Sequence, residues 1–243
     1  VTRAENETTA TSNASLDNIQ TASVLTAPPL AASTLPDPRI PEETLTIENE
    51  NARYTFSSHG GGLKLAELKL FEATVDCNVK NNTGTNGLAT LNAPAPVPVL
   101  GLLGSQMFEG DGVFKLSKTA NGLRAEKLFT NGLYLVKEFQ LSTNYLLKAS
   151  VSLENRSSQP VAVPVQEWVL GTATPMGKRD ESLYLGFQWY NGSKTEDLNE
   201  SWFANRALGC GPGNPRTEYV GGASNVFWAA VHNQFFALIT VPT

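Results

Sequence analysis

Five Asn-Gly or Asp-Gly pairs punctuate this chain, at Asn86 with Gly87, Asp111 with Gly112, Asn121 with Gly122, Asn131 with Gly132, and Asn191 with Gly192. Both residue types tolerate the positive φ angles of tight hairpin turns, and a helical protein has no use for so many of them. Between the turns the side chains alternate. Tyr145, Leu147, Ala149, Val151 and Leu153 interleave with Leu146, Lys148, Ser150 and Ser152. That period of two predicts a strand with the first set on a buried face.

The preceding run, 133–141, alternates less cleanly but also suits a strand, and the polar stretch 142–144 joins the two as a hairpin. Further strands are predicted over 44–47, 53–57, 63–70, 113–117, 123–129, 161–169, 183–189 and 226–241. Short strands at regular spacing indicate an all-β sandwich or barrel of antiparallel strands. Prolines at 94, 96 and 98 mark a loop or sheet edge. A short helical turn is expected around 195–207, where Trp202 and Phe203 cover a core edge. Residues 1–41 differ from the rest. They are rich in Thr, Ser, Ala, Asn and Pro, too poor in apolar surface to offset ordering entropy, and are expected to form a disordered linker.

With 243 residues the chain is long enough to bury a substantial core as one sandwich. Its net charge of -5 and scattered Lys and Arg argue against a nucleic-acid surface. No run of about 18 apolar residues is present, so no transmembrane helix is expected within it. The two cysteines, Cys77 and Cys210, form no zinc-type cluster. Two readings stay open for them: separate thiols, or a disulfide stabilising the fold by about 3–5 kcal/mol.

Motifs that suggest chemistry have structural explanations. The loop around Gly209, Gly211 and Gly213 lacks the Lys-Ser/Thr of a phosphate loop and contains Pro212. Gly60, Gly61 and Gly62 beside His59 resemble an anion nest, but no nucleophile elbow accompanies them, so a bulge or sharp turn is expected. Glu167 beside Trp168 interrupts an apolar run and is the carboxylate most suggestive of a cleft. Glu167, Trp168, Trp189 and Trp228 are the candidate cleft residues, for sugar or peptide. No catalytic residue, cofactor site or metal site is expected. The alternative is a carbohydrate-binding or carbohydrate-active sandwich, with Glu167 as one of the paired acids that glycosidases need.

Four pieces in order carry a resemblance. The first is Tyr54 to Ser58, the glycine turn at 60–62, and then Leu63, Leu65, Leu68 and Leu70. The second is the pair 132–141 and 145–155, and the third is the turn 155–160. The last is the segment 233–242, Asn-Gln-Phe-Phe-Ala-Leu-Ile-Thr-Val-Pro. Together, over about residues 44–242, they resemble the large periplasmic domain of YidC-type membrane protein insertases.

The resemblance implies a large β-supersandwich with a galactose-mutarotase-like shape, on the periplasmic face of the bacterial inner membrane. It implies a division into a flexible linker, 1–41, following a membrane helix, and a sandwich domain, 42–243, truncated at its C-terminus because further strands follow in the family. It implies a non-catalytic role, assisting insertion and folding of inner-membrane proteins by protein–protein contact. The implied partners are Sec translocon components, nascent membrane proteins and the insertase's own membrane helices, with no nucleic acid.

Overall fold

The computed structural model describes residues 39–73, 87–93, 95–103, 108, 110–163, 166–176, 182–206, 211, 213–221 and 226–243. Cys77, Cys210, residues 1–38 of the expected linker and half of the loop 208–215 lie outside the described residues.

Two four-stranded antiparallel sheets form the main sandwich. The first orders β1 (Thr44–Glu48), β2 (Ala52–Ser57), β3 (Gly62–Glu72) and β4 (Leu88–Leu91) in sequence. The second orders β6 (Lys115–Thr119), β7 (Gly122–Leu128), β8 (Leu133–Leu141) and β9 (Leu147–Asn155), again in sequence. A two-residue ladder joins β5 (Leu102–Leu103) to β10 (Glu167–Trp168). A third four-stranded sheet has the order β12-β11-β13-β14, built from β11 (Gly186–Tyr190), β12 (Thr195–Asn199), β13 (Trp228–His232) and β14 (Ala237–Thr240). The single α-helix among the described residues, α1, covers Glu200–Ala204.

The alternation that the sequence carries decides the core. Ala52, Tyr54 and Phe56 of β2 face Leu123 and Ala125 of β7 and Leu133, Leu135 and Phe139 of β8, in one buried cluster. Phe56 and Phe139 meet with ring centroids 4.6 Å apart, which fixes the first sheet against the second. The fold class is therefore as expected: an all-β antiparallel sandwich.

The turn chemistry works in two ways. Gly112, Gly132 and Gly192 take positive φ, as tight turns require. Gly122 does not, and is needed for another reason: a Cβ there would lie 1.8 Å from the carbonyl oxygen of Phe139 on the neighbouring strand. The glycines at 60–62 make the sharp β2–β3 turn that the sequence suggests. A side chain on Gly61, which has φ of 57°, would strike the Phe114 ring at 2.5 Å.

Several expectations need correction. Among the described residues of the run 161–169, only Glu167–Trp168 form a strand; proline at 164 has no N–H to give to a ladder. The run 226–241 is two strands rather than one. Asn233 divides it, its Oδ1 accepting the N–H groups of Phe235 and Phe236 at 2.9 Å each and turning the chain into a β13–β14 hairpin. The expected helical turn at 195–207 begins as strand β12 and is helical only over α1. Finally, Tyr145 is 42% and Val151 41% exposed although both stand on the inward-facing parity. The reason is a void on that side of β9.

Candidate functional site

That void is a cleft of about 1120 Å³. Its floor comes from the inward side chains of β3, β8 and β9, including Leu68, Leu135, Phe139 and Leu153, and β14 with the residues up to Thr243 forms a wall. Trp168 and Leu170 contribute from the segment around β10. Among the described residues, none of the lining side chains carries a charge. At its mouth Phe71, Leu146, Ile239 and Val241 are 43–61% exposed. The rings of Tyr145 and Phe236 pack against Phe71 at 6.3 and 5.1 Å, bringing three hairpin ends together. Tyr54 completes the rim by donating its hydroxyl to the Tyr145 carbonyl at 3.0 Å. The cleft presents a concave, mostly apolar surface among the described residues.

Behind the cleft sits one buried cation. Lys137 is fully buried on the inward face of β8, between Leu135 and Phe139. Its ammonium donates to the carbonyl oxygens of Gly60 at 2.6 Å and Leu100 at 2.7 Å. It also lies 4.4 Å from the Phe114 ring centroid and 5.4 Å from that of Trp168. Burial pushes its pKa down from 10.5 to about 7. Leu100 takes a left-handed conformation, φ 62°, a cost for a branched side chain. The lysine, with the Leu100 N–H to Val169 carbonyl bond at 2.6 Å, holds it there. Lys137 thus ties the β2–β3 turn, the Leu100 loop and the Trp168 segment to β8.

The four candidate residues fall in three places. Trp168 is half-buried and lines the cleft. Glu167, its neighbour, points the opposite way and is exposed. Trp189 is buried in a separate aromatic cluster, 5.7 Å from Phe187 and 5.5 Å from Tyr219, with Trp202 completing it. Trp228 pairs across the ladder with Tyr190 and stacks on it at 6.3 Å. Because Trp189 and Tyr190 are successive residues of one strand, Trp189 and Trp228 project from opposite faces of the third sheet. The structure does not gather the four into one cleft.

Lys137 escaped the sequence reading, yet its signal was present. It stands on the same parity as Leu133, Leu135, Phe139 and Leu141, which places a lysine on a core face. The β14 wall left no comparable trace, because adjacency to β9 is a tertiary fact.

Among the described residues, no group of three or more His, Cys, Asp or Glu side chains is placed to hold a metal ion. No helix of the described residues is long and apolar enough to cross a membrane. The molecule is thus an all-β domain whose conspicuous surface is an uncharged cleft. The profile of the YidC periplasmic domain matches residues 44–243, and the chain belongs to that family. Neither a curated protein nor a solved structure matches it. Family membership associates the chain with a membrane-protein insertase, on the periplasmic side of the bacterial inner membrane, and with newly made membrane proteins; the family is not one of enzymes.

Proposed function

We propose that this domain is a non-catalytic contact module that assists insertion and folding of inner-membrane proteins. Its cleft, with Trp168 in the wall, receives apolar segments of nascent membrane proteins before they enter the bilayer. Its outer faces, polar along β7 and β9, meet Sec translocon components and the insertase's own membrane helices. Residues 1–41 tether the sandwich domain.

One observation supports this reading: a cleft of about 1120 Å³ whose described lining side chains carry no charge, with exposed Phe71, Leu146 and Ile239 at its mouth. Apolar segments lose unfavourable contact with water there, at about 25 cal/mol per Å² buried. The carbohydrate reading gains no such support, since its acid Glu167 points away from Trp168 and two of its aromatic residues stand on other surfaces.

A photo-crosslinking amino acid at Leu146, in an insertase carrying this domain and translating an inner-membrane protein, tests the reading. Adducts with the nascent chain are expected from Leu146 and not from exposed Lys115 on β6. Equal yields from both positions, or none from Leu146, would refute it.

A further inference from the structure

The residues just ahead of β1 do more than lead into it. Ile40 to Glu43 lie along the end of β2 and are fastened there by polar contacts. His59 Nε2 donates to the Ile40 carbonyl at 3.0 Å. The Glu42 carboxylate accepts the Ser57 hydroxyl at 2.6 Å and pairs with the Lys64 ammonium. Glu43 N–H donates to the Ser58 hydroxyl oxygen at 2.9 Å, and its carbonyl accepts the Ser58 N–H at 2.8 Å. Ser57 and Ser58 are almost fully buried, so this strap satisfies their hydroxyls.

The same turn carries the Lys137 clip. The Gly60 carbonyl accepts the Lys137 ammonium at 2.6 Å, and that ammonium also holds the Leu100 carbonyl and lies 5.4 Å from the Trp168 ring centroid. Gly60 and Gly61 have φ of 77° and 57°, where glycine has little conformational restraint of its own. The Gly60 carbonyl is therefore aimed by its surroundings. Gly60 N–H bonds the Gly112 carbonyl at 2.8 Å, Phe114 N–H bonds the Ser58 carbonyl at 2.8 Å, and the strap grips Ser57, Ser58 and His59. Without the strap that grip is gone and the turn gains freedom. Lys137 then loses a fixed acceptor, and Leu100, at φ 62°, loses support for a costly conformation. Leu100 N–H bonds the carbonyl of Val169, the neighbour of Trp168, so the disturbance reaches the cleft wall.

The strap is weakly held. Glu42 and Glu43 are exposed, and the Lys64–Glu42 pair stands in solvent, where ion pairs contribute little. Pro41 is exposed and Ile40 only half-buried, so little apolar surface opposes release. Segments with few buried apolar contacts open locally while the fold stays intact. A segment weakly fastened at one end and joined at the other to a buried network has the two arrangements, fastened and released, that coupling requires.

We propose that residues 40–43 are a releasable strap coupled to the back wall of the cleft. Fastened, it keeps Gly60, Lys137 and Leu100 in place and Trp168 ordered; released, it loosens all four. The proposal rests on the tether and contact readings above for its purpose, since movement of the chain ahead of residue 40 then regulates the cleft.

Glu42→Ala in the 243-residue chain tests it, because it removes two fastenings without touching the core. By NMR, amide exchange is expected to quicken about tenfold at Ser58 and Phe114, and about threefold at Leu100. The amide of Phe236, capped by Asn233 in the third sheet, is expected to keep its rate. In protein labelled with 5-fluorotryptophan, the Trp168 resonance is expected to shift or broaden while those of Trp189, Trp202 and Trp228 stay. Glu42→Gln, which keeps an acceptor for Ser57 and loses the ion pair, is expected to fall between. Coupling is reciprocal, so Lys137→Met is expected to quicken Ser58 exchange about threefold relative to Phe236.

Faster exchange at Ser58 and Phe114 with Leu100 and Trp168 unchanged would overturn the proposal, leaving a local latch. Equal acceleration at Phe236 would overturn it as general destabilisation. So would an unchanged Ser58 rate in Glu42→Ala, or one unchanged relative to Phe236 in Lys137→Met. If nascent-chain adducts form at Leu146 while Trp168 ignores Glu42→Ala, the coupling fails and the contact reading stands. If Trp168 and Leu100 respond and no adducts form, the contact reading fails and the coupling stands.

Discussion

Replacing Lys137 by methionine tests whether the ammonium is the clip that holds the back of the cleft. Methionine keeps most of the side-chain volume and the flexible stem, so packing against Leu135 and Phe139 changes little. What disappears is a pair of hydrogen bonds, at 2.6 and 2.7 Å, to the carbonyls of Gly60 and Leu100. Hydrogen bonds to charged groups contribute about 1.5–3 kcal/mol each, and a buried carbonyl left without its donor costs about as much. Against this stands the desolvation of the ammonium, the same burial that lowers its pKa to about 7. The losses outweigh the relief because two acceptors are orphaned at once, giving a net cost of about 2–4 kcal/mol at pH 7. That is a large share of a typical stability of about 5–15 kcal/mol.

The pH dependence carries its own sign. The folded pKa of Lys137, about 7, lies below its ordinary 10.5, so between those values the unfolded chain binds the extra proton. Stability therefore rises with pH across that window. The rise is expected to vanish in Lys137→Met, so the gap between the two proteins widens from pH 7 to pH 9.5. Urea unfolding followed by tryptophan fluorescence measures both quantities. Lys137→Gln, which restores one neutral donor, is expected to fall between them. A Lys137→Met protein at least as stable as the parent at pH 7, or a gap that narrows with pH, would refute the reasoning.

Three further outcomes follow from the core and its turns. Phe139→Ala empties a fully buried site beside Phe56 and is expected to cost about 3–5 kcal/mol in denaturant unfolding, without altering fold class by circular dichroism. Gly61→Ala forces a Cβ into the Phe114 ring at a positive φ, and is expected to lower the melting temperature in proportion to about 1–3 kcal/mol. Lys127 holds the Asp111 carboxyl below its ordinary 3.8, aided by the N–H of Val113. That contribution is complete above the ordinary value and is lost as pH falls through the lowered one. Asp111→Asn is therefore expected to flatten the decline of melting temperature below pH 4 slightly, since the carboxylate is half exposed.

Most of the sandwich was legible because its signals are local. Period-two alternation and Asn-Gly turns located β8, β9 and the hairpins around them to within a few residues. Three Asn-x-Ser stretches that resemble glycosylation sequons are local devices too: the Oδ1 atoms of Asn155 and Asn191 accept N–H groups two residues on, and that of Asn199 accepts the Ser201 hydroxyl. What could not be read depends on long-range pairing. The run 226–241 reads as one strand because apolar residues dominate it on both sides of His232, Asn233 and Gln234, and the capping bonds of Asn233 divide it. Trp189 and Trp228 looked like partners of Trp168 because aromatic residues carry no mark of which sheet face they will occupy. The cleft itself is a meeting of β9 with β14, more than eighty positions apart in sequence.

Fluorine NMR of the protein labelled with 5-fluorotryptophan reads the cleft directly, since its four tryptophans occupy distinct surroundings. Titration with an uncharged apolar polypeptide is predicted to move the resonance of Trp168 saturably and leave those of Trp189, Trp202 and Trp228 in place. Movement of Trp189 or Trp228 with Trp168 unmoved would contradict the account and shift the contact surface to the third sheet.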